Sequence, residues 1–172
     1  MTTHQRAEGA SGEPVGRQPG GMTTHALADE AETRALGREL ALRAEPGDVI
    51  ALDGTLGAGK TCLSQGFAEG LGIPARTVNS PTFALWNIHT GRLTLHHMDW
   101  YRIADPDEAL VLGLEDVVGV DGVCLVEWPS RLPHLLPADT LQVELTFAPP
   151  GRLATLRATG LRGLRLMGVK PG

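Results

Sequence analysis

Gly54-Thr55-Leu56-Gly57-Ala58-Gly59-Lys60-Thr61 fits the pattern G-x-x-x-x-G-K-S/T. It lies between an apolar run, Val49 to Leu52, and a segment from Lys60 to Leu71 in which Leu63, Phe67 and Leu71 recur every fourth residue. A buried strand, a Gly-rich turn and an amphipathic helix, in that order, are the setting in which this pattern cradles phosphate. The glycines let backbone N–H groups curl around phosphate oxygens without a Cβ in the way, and the helix N-terminus adds a favourable dipole. Lys60 is then placed to reach the β- and γ-phosphates, and Thr61 to offer its hydroxyl to Mg²⁺. Lys60 is also unusual for its type, because of fifteen basic residues only Lys60 and Lys170 are lysine.

Working outward, Asp29 to Arg43 reads as a helix that Glu45-Pro46-Gly47-Asp48 stops. Leu93 to Met98 alternates as a half-buried strand does and ends at Asp99. Asp105-Pro106-Asp107-Glu108 has the form of a helix start, and that helix is expected to carry Ala109, Leu110, Leu112 and Leu114 as its apolar residues. Val123 to Val126 is continuously apolar, as a strand covered on both faces is, and ends in Glu127-Trp128-Pro129. Leu141 to Phe147 alternates, Pro149-Pro150-Gly151 turns the chain, and Leu153 to Thr159 returns as a second hairpin arm. The expected fold is α/β, a P-loop NTPase-type mixed sheet with helices on its faces and a C-terminal antiparallel hairpin.

The 172 residues suit one domain, set here at residues 22–160. Residues 1–21, rich in Gly and polar residues, read as a disordered extension. Met1-Thr2-Thr3-His4 recurs as Met22-Thr23-Thr24-His25, so either the segment is duplicated or translation starts at Met22. Residues 161–172 read as a basic flexible tail. From residue 151 onward there are five basic residues and no acid, whereas the whole chain has a net charge of −5. No apolar run approaches the roughly 18 residues of a membrane span, and no basic cluster precedes an apolar run at the N-terminus. A cytoplasmic, non-membrane protein is expected. Cys62 and Cys124 make no ligand pair or disulfide framework and read as small core residues.

A phosphate loop of this kind works with an acid at the end of a neighbouring strand, which holds Mg²⁺ and orients the attacking group. Asp99 and Glu127 both occupy such places. Guanine readers use an N-K-x-D element, and after Lys60 the only Lys is Lys170, followed by Pro171-Gly172 at the end of the chain, so ATP is expected over GTP. In Ser80-Pro81-Thr82-Phe83, two hydroxyls flank a proline in a loop, a candidate γ-phosphate switch. His96 and His97 are adjacent in a strand and point to opposite faces, so they do not share one ion; one is expected in the core, the other facing the site or exposed.

Gly57-Ala58-Gly59-Lys60-Thr61, Ser80-Pro81-Thr82-Phe83, His97-Met98-Asp99-Trp100-Tyr101-Arg102, Leu112-Gly113-Leu114-Glu115 and Glu127-Trp128-Pro129 together resemble a known family. It is the small bacterial ATPase of tRNA threonylcarbamoyladenosine biosynthesis, TsaE or YjeE, and the likeness runs over about residues 27–148. The resemblance implies ATP binding and hydrolysis with Mg²⁺ while docked on TsaD-like and TsaB-like partners. That assembly modifies adenosine beside the tRNA anticodon, with tRNA contacted by this chain indirectly or weakly. It implies Thr61, Glu127 and Asp99 at the metal, with Lys60, Asp99 and Glu127 catalytic. Ser80, Pro81 and Thr82 become the switch, and Thr33, Cys62 and Trp128 join the nucleotide-binding residues. Three positions depart from the family pattern: Thr55 stands in place of an Asp, Cys62 where Thr is common, and Trp100 in place of a Leu. Two rival readings stand beside this one. In a small-molecule kinase, arginines between Arg152 and Arg165 would supply a lid; in a binding module, ATP would organise an interface without turnover.

Overall fold

The computed structural model describes residues 20–55, 57–79 and 85–170. Strand β1 (Gly21–Leu27) leads to α1 (Glu30–Leu42), β2 (Val49–Gly54) and α2 (Lys60–Gly70). β3 (Trp86–Thr90), β4 (Thr94–Asp99), α3 (Pro106–Leu112) and β5 (Val123–Glu127) follow. β6 (Leu141–Ala148), β7 (Gly151–Ala158) and α4 (Leu161–Leu166) complete the domain. One seven-stranded mixed sheet is ordered β1-β7-β6-β2-β5-β4-β3. β4, β5, β2 and β6 run parallel, while β3, β7 and β1 are antiparallel to their neighbours.

Alternation along the central strands sorts the core into two layers. Val123 and Leu125 of β5, with Ile50 and Leu52 of β2, face the layer that holds Leu36, Leu40, Leu63 and Phe67 of α1 and α2. Cys124 and Val126 face the other layer, with Met98, Trp100, Leu114 and Leu132. Helix α1 begins at a reciprocal cap: the Asp29 carboxylate accepts from the Glu32 N–H at 2.9 Å, and the Glu32 carboxylate accepts from the Ala28 N–H at 2.6 Å.

Several expectations need correction. The segment from 161, read as a flexible tail, forms α4, with Leu164 and Leu166 buried in the first layer. Its arginines find a partner far back in the chain. Asp48, fully buried, accepts from Arg162 at 2.9 Å and from Arg165. Of the apolar residues expected on α3, Leu110 and Leu112 face solvent and Leu114 lies beyond the helix; Ala109 and Leu114 are buried. Cys124 is a core residue but Cys62 is only half buried. The outer strands β1 and β3 were not anticipated. Leu56 and the Ser80-Pro81-Thr82-Phe83 loop lie outside the described residues, as does the N-terminal extension up to residue 19.

Candidate functional site

The carboxyl ends of β2, β4 and β5 come level at one edge of the sheet, where α/β proteins collect their ligands. Pairing sets this register: Glu127 lies opposite Asp99 on one side and Leu52 on the other. A cavity of about 990 Å³ opens there, at the upper end of the range for ligand pockets. Gly57, Gly59, Lys60, Thr61 and Cys62 line it on the loop side, Asp99, Glu127 and Trp128 on the strand side, and Thr33 from α1. Gly54, Thr55 and Ala58 do not line it: Thr55 is exposed, its carbonyl accepts from the Ala58 N–H at 3.0 Å, and Ala58 is fully buried.

The loop needs its glycines. Gly57 and Gly59 have φ of +81° and +104°, where a Cβ is strained, and Gly59 is the residue from which α2 starts. Thr33 braces the loop from the side: its methyl lies 3.6 Å from where a Cβ on Gly59 would stand, and its hydroxyl donates to the Asp29 carbonyl at 3.2 Å. Lys60 is nearly buried, and its ammonium sits 4.6 Å from the centre of the Trp128 ring. Trp128 is left-handed, with φ of +56°, so the chain turns sharply straight after Glu127. Tyr101 packs against Trp128 with ring centres 4.8 Å apart, and Arg131 lies 5.4 Å from the Tyr101 ring.

Both acids are buried. His97 sits beneath Glu127, with Nε2 2.9 Å from a Glu127 carboxylate oxygen, and is itself fully buried. An ionised carboxylate only accepts, so Nε2 carries the proton and donates. Asp99 accepts from the Tyr101 N–H at 2.9 Å. Burial, with the Glu127 charge adding to it, holds the Asp99 carboxyl above the usual carboxylate range, against the opposing pull of the Tyr101 hydrogen bond, Lys60 and His97. His96 is buried as well: Trp86 Nε1 donates to its Nδ1 at 3.1 Å, and its Nε2 lies 2.9 Å from Asp121. Neither histidine is exposed, and the pair is split between the acid site and the far side of the strand.

The sequence reading missed several cavity residues, among them Asp29, Glu30, Arg34 and Gln65. Arg152, named only as part of the lid of a rival kinase, is the most telling. Its guanidinium donates to the Ala58 and Gly57 carbonyls, both at 3.1 Å, and lies 4.4 Å from the Phe147 ring, so β7 clamps the glycine-rich loop. Arg152 is therefore engaged with the loop rather than free to act as a lid, and Arg162 and Arg165 are engaged with Asp48. The sign that pointed to it was Pro149-Pro150-Gly151, a turn that returns the chain over the sheet edge.

A family model described as "Threonylcarbamoyl adenosine biosynthesis protein TsaE" matches residues 27–152. The chain belongs to the TsaE family. It is 49% identical over 115 residues to the tRNA threonylcarbamoyladenosine biosynthesis protein TsaE of Bacillus subtilis, a match covering 66% of this chain and 71% of that protein. To the TsaE of a Nostoc species it is 42% identical over 135 residues, 76% and 82% of the two chains. A solved structure, the Bacillus subtilis protein YdiB, superposes with a TM-score of 0.74 at 36% identity, covering 88% of this chain and 95% of that one. The mixed α/β sheet of this TsaE member is thus shared with a solved neighbour. Among the described residues, no helix is long and apolar enough to cross a membrane.

Proposed function

We propose that this chain binds ATP with Mg²⁺, hydrolyses it, and serves as an accessory subunit in threonylcarbamoyl modification of adenosine in tRNA, next to TsaD-like and TsaB-like partners in the cytoplasm. The observation that carries the reading is the convergence of a nearly buried Lys60 and the in-register acids Asp99 and Glu127 on one cavity. The donor set fits the ion: Thr61, Asp99 and Glu127 offer only oxygen, which suits a hard cation such as Mg²⁺. Held by Thr61, Asp99 and Glu127, Mg²⁺ would supply neutralisation of the charge that develops in phosphoryl transfer.

The chain's own residues do the rest. Backbone N–H groups of the loop orient the phosphates, Lys60 leaves the Trp128 face to meet the β- and γ-oxygens, and His97 fixes the Glu127 carboxylate. Asp99, on the neighbouring strand, is placed to orient the attacking water. The TsaE names of the relatives support the tRNA role.

The test is multiple-turnover formation of threonylcarbamoyladenosine on tRNA by purified TsaD-like and TsaB-like partners, with and without this chain. Dependence on the chain is expected, with Lys60→Ala losing nucleotide binding and Glu127→Ala losing Mg²⁺-dependent turnover while still binding ADP. Equal product without the chain, or equal turnover in the Glu127 variant, refutes the reading.

A further inference from the structure

Helix α3 exposes three consecutive branched residues: Leu110 is 62% accessible, Val111 88% and Leu112 41%. Successive side chains on a helix are about 100° apart, so no rotation of α3 against its own domain buries all three. Ala109 alone is buried. End caps rather than packing fix the helix: Asp105 accepts from the Asp107 N–H at 2.9 Å, Pro106 occupies the first turn, and left-handed Gly113 closes it. Such a ridge is already shaped for contact, which lowers the ordering cost of docking.

Charge identifies the kind of surface that covers it. Residues 103–122 contain no Lys or Arg. Asp107, Glu108, Glu115 and Asp116 flank the apolar triplet in sequence, are exposed, and make no ion pair among the described residues. An apolar ridge with an acidic rim repels nucleic acid phosphates and complements an apolar groove framed by Lys and Arg. We propose that α3 is the docking ridge for a protein partner with such a groove. The ridge is also tied to the nucleotide site, because the chain runs from Asp99 through Tyr101, packed on Trp128, to the Asp105 cap.

The proposal rests on the reading that this chain works inside a protein assembly, and the test separates the two. The full chain and a Leu110→Ser/Val111→Ser double variant are titrated by calorimetry into a purified TsaD-like–TsaB-like pair, and separately into tRNA. ADP binding and thermal melting are followed in parallel. The double variant is expected to lose about tenfold or more in affinity for the protein pair, with ADP binding and melting unchanged. A Glu108→Lys/Glu115→Lys variant is expected to weaken the same complex, and added salt to weaken the wild-type complex. Wild-type affinity in both variants overturns the docking ridge alone. Failure of the wild-type chain to bind the pair overturns both the assembly reading and the ridge. Loss of tRNA binding in place of protein binding refutes the choice of partner.

Discussion

Replacing Gly66 with Ala sets two forces against each other. In an isolated helix the change is favourable by about 1 kcal/mol, because Gly is a poor helix former. Here α2 packs on α1 at backbone contact: a Cβ on Gly66 would lie 2.2 Å from the Arg34 carbonyl oxygen and 2.7 Å from its Cα. The reciprocal position is equally tight, since a Cβ on Gly37 would lie 2.3 Å from the Leu63 carbonyl. Restoring an ordinary contact of 3.4 Å from 2.2 Å requires the helices to part locally by about 1.2 Å. Overpacking costs about 1–3 kcal/mol, and a rigid backbone neighbour places this case at the upper end. The net effect is a loss of about 2 kcal/mol, or a fall of about 4–8 °C in melting temperature at the usual ~2–4 °C per kcal/mol for a chain of this size. Because α1 carries Thr33 and Arg34 on the cavity wall while α2 carries Lys60 and Thr61, the same parting should weaken ADP binding several-fold. Circular dichroism melting and calorimetric ADP titration check both effects. A variant that melts above the wild type, as helix propensity alone dictates, refutes the argument from close packing.

Asp48→Ala should lower stability by about 2–3 kcal/mol, because it removes the buried acceptor that Arg162 and Arg165 share; a chain that melts unchanged would mean α4 is not held by this contact. Asp99→Asn keeps an acceptor for the Tyr101 N–H. Burial raises the folded pKa of Asp99, so the acid's contribution to stability is full below the unfolded carboxylate value and is lost as pH rises through the folded one. The Asn variant should therefore melt above the wild type at neutral pH, lose that advantage in acid, and hydrolyse ATP more slowly; pH-dependent melting decides. Alkylation should find Cys62 and spare Cys124, whose buried thiol is pushed up to about 11. Burial also raises the Cys62 thiol, so its labelling should accelerate above the usual thiol range and slow when ADP fills the cavity, as mass spectrometry of the labelled peptides can show.

What could be read in the sequence was local. The glycine-rich turn between β2 and α2, the α2 stripe of Leu63 and Phe67, the two-sided strand β5 and the C-terminal hairpin each declare themselves within a dozen residues, because period and turn chemistry act at that range. What escaped depended on distant partners. Arg162 and Arg165 look like solvated charges until Asp48, more than a hundred positions earlier, comes under them. The spacing of Leu161, Leu164 and Met167 was the available signal for a helix. β1 and β3 lie at sheet edges, where apolar residues such as Met22 and Ile88 meet solvent and polar ones such as Asn87 and His89 are half-buried, so the apolar alternation weakens. At the site, Asp99 and Glu127 could be named individually, but their register across β4 and β5, the His97 proton donor and the Arg152 clamp exist only once the sheet is assembled.

That assembly also explains why Asp99 carries a desolvation cost. Strands β4 and β5 deliver two carboxylates side by side into a buried edge, and burial is the largest influence on Asp99. A fold selected for stability alone would place amides or apolar residues there. If Mg²⁺ and phosphates bind as proposed, that cost becomes useful, since the same low polarity that disfavours a bare carboxylate strengthens its grip on the incoming charge. On the proposed reading, α3 extends this logic outward. The segment that holds Asp99 continues through Tyr101 into the acidic, apolar-tipped helix, so a partner seated on α3 would press on the backbone that positions the acid. Nucleotide turnover and docking would then be coupled through about ten consecutive residues, with no rearrangement of the sheet.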